Sequence, residues 1–266
     1  MMKLNLLEPW MAAYLYILTG ILGAVFGSFI TCQADRIAAG ESWIKGRSHC
    51  DACGHQLSAL DLIPIFSYLI HGGKCRYCGT KLSSKYLITE ILMCLAFMGI
   101  LWHAGALNIE VVMQWGLTCA LLGLSVVDLD KYEIPDGYII FGIVWWCAGM
   151  LAEYLSGMDV WATAVQGLLA GIGIAGSILV LSLIMDKVLK KESMGGGDIK
   201  LLFVIGLYLG PLNGLFTLIL ACVIGLLFVV VLKKDKIPFG PSISLTAYLG
   251  MTVLPYLSAW YVGLLK

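Results

Sequence analysis

Long apolar runs, interrupted at intervals by short polar or charged stretches, dominate this chain. A membrane crossing needs roughly 20 apolar residues. Eight runs are candidates, at about 11–31, 87–103, 110–127, 138–155, 161–185, 198–210, 212–232 and 242–264. The pattern predicts an all-α polytopic membrane protein with about eight transmembrane helices. Residues 1–31 form the first helix, 32–86 a soluble loop, and 87–266 a membrane core. Composition agrees: 60% of the residues are hydrophobic, 13% are charged, and the mean hydropathy is +0.90. That excludes an ordinary soluble domain. Lys3 and Glu8 precede the first run without a convincing cleavage site, so it reads as a membrane helix rather than a removed signal.

Charge placement orients the spans. All of the 17 Lys and Arg residues except Lys3 and Lys266 fall in the connections between spans 1–2, 3–4, 5–6 and 7–8, or at their edges. The alternate connections, near 104–109, 156–160 and 210–211, carry none. By the positive-inside rule the charged loops are cytoplasmic and both termini face outward. The net charge is zero, so nothing in the bulk balance suggests a nucleic-acid partner. The lipid bilayer is the first partner implied. Among the 31 glycines, the pairs Gly23–Gly27, Gly167–Gly171 and Gly206–Gly210 have the GxxxG spacing that lets helix backbones approach closely, and they read as packing positions.

The loop at 32–86 contains Cys50-Asp-Ala-Cys53-Gly54 and Cys75-Arg-Tyr-Cys78-Gly79. Two CxxC pairs can supply four thiolates to a tetrahedral Zn²⁺ ion, and each trailing glycine permits the tight turn of a metal knuckle. Four sulfur ligands leave no open position, which favours a structural ion. Redox or disulfide chemistry is the alternative, disfavoured in a cytoplasmic loop. His49, His55 and His71 lie near enough in sequence to replace a thiolate. Cys32, Cys94, Cys119, Cys147 and Cys222 sit in or beside apolar runs and read as small buried hydrophobes.

Two acidic clusters close or open membrane runs, where a carboxylate is costly to keep. One is Asp128-Leu129-Asp130, followed by Lys131 to Pro135, Asp136 and Gly137; the other is Gly195-Gly196-Gly197-Asp198-Ile199-Lys200. Asp128 and Asp130 are two residues apart and point to different sides of a helix; Asp128 lies deeper and is the candidate for the interior. Pro135 should turn the chain, and Asp136 then reads as the N-cap of the next helix. Under the charge topology Asp128 and Asp198 share the cytoplasmic leaflet. Two carboxylates brought together there cannot both ionise easily, and one shared proton supplies a base and an acid for hydrolysis. The residues alone leave open two other readings: interfacial carboxylates pairing with Lys131 and Lys200, and the proton relay of a coupled transporter.

In order along the chain, these motifs resemble type IV prepilin peptidase, a polytopic aspartyl protease family with a GxGD motif. Gly27-Ser28-Phe29 and Arg36 resemble its opening, and Arg47-Ser48, both CxxC pairs, Ile63-Pro64, Ser67-Tyr68-Leu69 and Gly73-Lys74 its first cytoplasmic loop. Tyr86 and Glu90 look like the start of its second span. Asp128-Leu129-Asp130 with Ile134-Pro135-Asp136 resembles the first catalytic motif, Gly195 through Gly197-Asp198 to Lys200 the second, and Ile237-Pro238-Phe239-Gly240-Pro241 a late motif. The resemblance implies cleavage of prepilins and pseudopilins after a glycine at the cytoplasmic face of the cell membrane, with Asp128 and Asp198 as the catalytic pair. It also implies N-methylation of the new N-terminus from S-adenosylmethionine, an activity linked to the first loop. A leader peptidase without methyltransferase activity is the alternative, because departures from the family pattern, such as Thr31-Cys32 and Cys50-Asp51, fall in and before that loop. No residue is assigned to S-adenosylmethionine.

Overall fold

The computed structural model describes residues 2–4, 8–44, 46–190, 194–232 and 238–264. Lys45, Lys191, Lys233, Lys234, Lys236 and Lys266 of the charge pattern, and Ile237 of the late motif, lie outside the described residues. The chain divides into two compact units, Met1–Leu107 and Asn108–Lys266.

The first unit pairs helix α1 (Pro9–Ala39) with α3 (Ser84–Ala104). The pairing depends on missing side chains: a Cβ on Gly23 would lie 2.4 Å from the Met93 carbonyl oxygen, and one on Gly27 would lie 3.0 Å from Glu90 Cα. The expected packing role of this GxxxG pair is its observed one. Helix α1 continues past residue 31 to Ala39, where Gly40 takes a left-handed conformation and its N–H caps the carbonyls of Arg36 and Ile37. Between the two helices lie the cysteine loop, a 3₁₀ turn at Ala59–Leu62 and the short α2 (Phe66–Ile70). Strand β1 (Met2–Lys3) pairs antiparallel with β2 (Ala106–Leu107).

The second unit contains α4 (Ile109–Lys131), α5 (Asp136–Leu155), α6 (Trp161–Leu189), α7 (Gly196–Leu232), α8 (Gly240–Thr252) and α9 (Leu254–Leu264). Met113, Trp146 and Leu207 bring α4, α5 and α7 to one buried cluster. Helix α6 lies against α7 through glycine: a Cβ on Gly206 would stand 2.5 Å from Gly171 Cα, and one on Gly167 2.6 Å from the Leu207 carbonyl oxygen.

Six of these helices, α1 and α3 to α7, are long and apolar enough to cross a membrane, and the chain is a multi-pass membrane protein. The expected count of about eight differs at two places, for one kind of reason. Pro211 lacks an N–H and disfavours helical backbone before it. Gly210 accordingly leaves the helix at φ 69°, ψ −174°, so α7 comprises two helices on either side of this break, the expected runs 198–210 and 212–232. The last expected span, 242–264, is divided at Val253 into α8 and α9, two residues before Pro255.

Candidate active site and cysteine centre

Asp128 sits in the last turn of α4 and is 4% exposed, whereas Asp130 is exposed. The helix closes just beyond, where Tyr132 turns left-handed and its N–H caps the Asp128 carbonyl. A polar seam joins α4 to α8. Ser125 Oγ bonds Ser244 Oγ at 2.8 Å, and Ser244 Oγ donates to the Leu121 carbonyl at 3.3 Å. At its end the backbone N–H of Gly240, first residue of α8, donates to Asp128 Oδ2 at 2.8 Å. Helix N-termini present unpaired amides, so a carboxylate there gains both a hydrogen bond and the end of the helix dipole.

Asp198 is in the first turn of α7, half-buried, with its N–H on the Gly195 carbonyl at 3.1 Å. Lys200 meets Asp136 at 2.7 Å and a Cβ on Gly197 would lie 2.9 Å from Ile134 Cβ, so the start of α7, which carries Asp198, lies beside the turn that follows Asp128. The glycines before it leave room: a Cβ on Gly195 would be 3.1 Å from Asp198 Oδ2, and one on Gly197 would be 2.9 Å from Ile134 Cβ. Asp136 does not act as the expected N-cap. Pro135 occupies that position, Asp136 is the first helical residue of α5, and its carboxylate accepts from Lys200 Nζ at 2.7 Å across an exposed pair. Sequence reasoning quoted Gly240 as part of a motif but missed its contact with Asp128; the signal was the Pro-Phe-Gly-Pro string, which delivers a bare helix start with no side chain in the way.

In the first unit the sulfur atoms of Cys50, Cys53, Cys75 and Cys78 all lie within 4.8 Å of one another. They stand on two knuckles with matching hydrogen bonds 25 residues apart. Cys50 N–H donates to His55 O (3.0 Å) and Gly54 N–H to Cys50 O (2.8 Å); Cys75 N–H donates to Thr80 O (2.8 Å) and Gly79 N–H to Cys75 O (2.9 Å). Gly54 and Gly79 have φ of 69° and 71°, which explains the glycine after each pair. Cys50 Sγ and Cys78 Sγ are 3.9 Å apart, close to the ~3.8 Å edge of a tetrahedron with Zn–S bonds of about 2.3 Å. Hydrogen bonding with the Thr80 side chain, then its backbone, holds the Cys78 thiol down to about 6. Cys53, although a His55 backbone hydrogen bond pulls the other way, is pushed up to about 11 by desolvation and by its Cys50 and Cys78 neighbours. The donor set fits a metal ion. The histidines are engaged elsewhere: His55 stacks on Tyr77 at 3.7 Å, His71 Nε2 is 4.0 Å from Asp61, and His49 Nδ1 is 3.4 Å from the Arg47 carbonyl oxygen.

Residues 21–104 match the model of the bacterial peptidase A24 N-terminal domain, and residues 115–230 that of the type IV leader peptidase family. The chain is 33% identical to a "type 4 prepilin-like proteins leader peptide-processing enzyme" of Escherichia coli O78:H11, over 75% of this chain and 72% of that one. It is 28% identical to a "prepilin leader peptidase/N-methyltransferase" of Pseudomonas putida over 92% of each. A Bacillus subtilis protein of the same name is 31% identical over 86% of this chain and 92% of its own. No solved structure matches the chain. Both acids and both cysteine pairs lie within the matched segments, and the chain belongs to the type IV leader peptidase family.

Proposed function

We propose that this protein is a membrane aspartyl endopeptidase that removes the leader of prepilins and pseudopilins after a glycine, then N-methylates the exposed N-terminus. The observation that carries the peptidase assignment is the buried Asp128 carboxylate, held by the Gly240 amide, with the start of the Asp198 helix packed beside the turn that follows it. One carboxylate takes a proton from a water molecule as its oxygen attacks the scissile carbonyl carbon. The other gives its proton to the carbonyl oxygen, and a tetrahedral gem-diol forms. As that intermediate collapses, the second carboxylate takes a proton back from a gem-diol hydroxyl, the carbonyl returns, the C–N bond breaks, and the acid formed in the first step protonates the departing amine. The pair then holds one proton again. The Gly240 hydrogen bond keeps the Asp128 carboxyl in one orientation through the cycle, and Gly195 and Gly197 leave space for a substrate backbone beside Asp198.

The four cysteines would hold a structural Zn²⁺ ion, which would fold the loop between α1 and α3. S-adenosylmethionine, when bound, supplies the methyl group on a cationic sulfur. The charge pattern supports a cytoplasmic-membrane protein with the acids and cysteine centre on the cytoplasmic side and both termini outside. Incubation of the purified protein with a peptide carrying a basic leader that ends in Gly-Phe tests this reading. Mass spectrometry should show cleavage between those two residues and, with S-adenosylmethionine added, a gain of one methyl group on the new N-terminus. An intact peptide would refute it.

A further inference from the structure

Two hydrogen-bonded rungs between α1 and α3 mark where the first unit leaves the bilayer. Thr31, at the end of the first apolar run, donates to Thr89 Oγ1 at 2.7 Å, and Thr89 stands near the start of the apolar run of α3. One turn further on, Tyr86 Oη donates to Asp35 Oδ2 at 2.8 Å, with Lys85 on the same carboxylate. The hydrocarbon edge therefore falls at the Thr31–Thr89 rung, where both helices pass from apolar to polar sequence.

The short helix α2 is fastened at this level. Glu90, the residue after Thr89, is buried and accepts the Ile65 N–H at 2.6 Å. Ile65 lies at φ 64°, ψ −54°, with Phe66 N–H on the Pro64 carbonyl at 2.6 Å, a positive-φ γ-turn that a β-branched residue adopts only where its surroundings impose it. That turn sets which way α2 faces. Tyr68 packs over Gly73, where a Cβ would lie 2.9 Å from the Tyr68 hydroxyl oxygen. Phe66, Leu69 and Ile70, at the i, i+3 and i+4 positions of one face, are 64%, 61% and 76% exposed. Leu60, Leu62 and Ile63, just before them, are exposed as well, and neither α2 nor the 3₁₀ turn buries a residue of its own. A water-facing surface rarely carries so many large apolar side chains in one short stretch. The chain from this helix onward is basic: residues 66–85 contain four Lys or Arg and no Asp or Glu. Lys74 and Lys81, flanking the second cysteine knuckle, pair across an antiparallel bridge, and both are exposed. Like charges directly opposed across strands repel, and an anion between them removes that cost.

We propose that α2 and the turn before it form a membrane-interface segment: Phe66, Leu69 and Ile70 enter the boundary between headgroups and acyl chains, and Lys74 with Lys81 holds an anionic phospholipid headgroup. The bilayer is the occupant because the segment is continuous with it. Interfacial helices bury their apolar face about 5–10 Å into that boundary, and Glu90 holds α2 at the level where the boundary begins. The basic stretch beyond α2 suits anionic lipid. The segment seats the cysteine loop on the membrane surface and stops it swinging on the ends of α1 and α3. This role is independent of the peptidase and methyl-transfer readings.

The test uses full-length, zinc-replete protein in lipid nanodiscs containing a phosphatidylcholine with a diazirine near the ester end of its acyl chain. Illumination and peptide mapping should place label on residues 60–70 as strongly as on Leu92 and Leu95, which are exposed on α3. Label on α3 with none on residues 60–70 would overturn the proposal, and this readout needs no variant. Leu69→Asp combined with Ile70→Asp should cut the labelling of this stretch about fivefold or more, with zinc content unchanged; undiminished labelling would overturn the proposal. Replacing about 30% of the lipid with phosphatidylglycerol should raise the label about twofold or more in the wild-type protein and leave it unchanged in a Lys74→Gln, Lys81→Gln variant. An equal rise in both proteins would overturn the assignment of the lysine pair to a headgroup. Loss of the label on adding excess peptide with a basic leader that ends in Gly-Phe would assign the face to a protein substrate and overturn the lipid assignment.

Discussion

The backbone N–H of Gly240 meets Asp128 Oδ2 at 2.8 Å, and a Cβ at Gly240 would lie 2.6 Å from the same oxygen. The carboxylate can approach the amide this closely because Gly240 has no side chain. Gly240→Ala should push the carboxyl from its place and lower kcat for leader cleavage about tenfold or more, which corresponds to ~1.4 kcal/mol of barrier. Steady-state kinetics on a model prepilin check this, with melting as the control for folding. Wild-type kcat would show that the contact does not orient the acid.

Asp130 and the Lys200–Asp136 pair should matter less. Asp130 is exposed where Asp128 is buried, so Asp130→Asn should retain most of the cleavage activity. The Lys200–Asp136 pair has side chains 54% and 63% exposed. Exposed pairs contribute about 0–1 kcal/mol, and the contribution is screened by salt. Lys200→Met should therefore shift melting by only a few degrees. A cleavage assay and a thermal melt on each variant decide both points.

The cysteine centre should carry one equivalent of zinc per chain, measurable by elemental analysis. Cys50→Ser or Cys75→Ser, at the two buried thiols, should abolish it and open the loop to proteolysis. Metal binding must release the thiol protons, so affinity should fall as pH drops. Cys78 ionises at about 6, whereas Cys53, pushed up to about 11, gives up its proton only to the metal. Zinc retention that does not change on acidification would contradict thiolate ligation.

Helix packing through glycine gives a stability prediction. Gly206→Leu places a side chain where Gly171 Cα is 2.5 Å from the Cβ position. Overpacking of this kind costs about 1–3 kcal/mol, visible as a lower melting temperature in detergent; an unchanged melt would mean that α6 and α7 are not in this contact.

Much of this was legible because membrane helices announce themselves by length and apolarity, and because metal knuckles need cysteine and glycine at fixed spacing. The break at Gly210–Pro211 appeared as the gap between two expected spans. The division of the last span was missed because Pro255 interrupts the helix without interrupting the apolar run. The extension of α1 to Ala39 was missed for the converse reason: Gln33, Asp35 and Arg36 end the apolar pattern while the backbone stays helical to the Gly40 cap. Asp136 was misread because Pro135, with φ fixed near −65°, fits the N-cap position equally well and leaves the aspartate one step inside. The Gly240 N–H donor had only an indirect signature, the Pro-Phe-Gly-Pro string that leaves a helix start bare.

The proposed hydrolysis requires Asp128 and Asp198 to act as one acid–base pair. Replacing either by asparagine preserves size and much of the hydrogen bonding but removes the shared proton. Cleavage of a prepilin by wild-type, Asp128→Asn and Asp198→Asn proteins, each purified from membranes with normal melting, should fall below detection in both variants. Substantial cleavage by either one would contradict the pair.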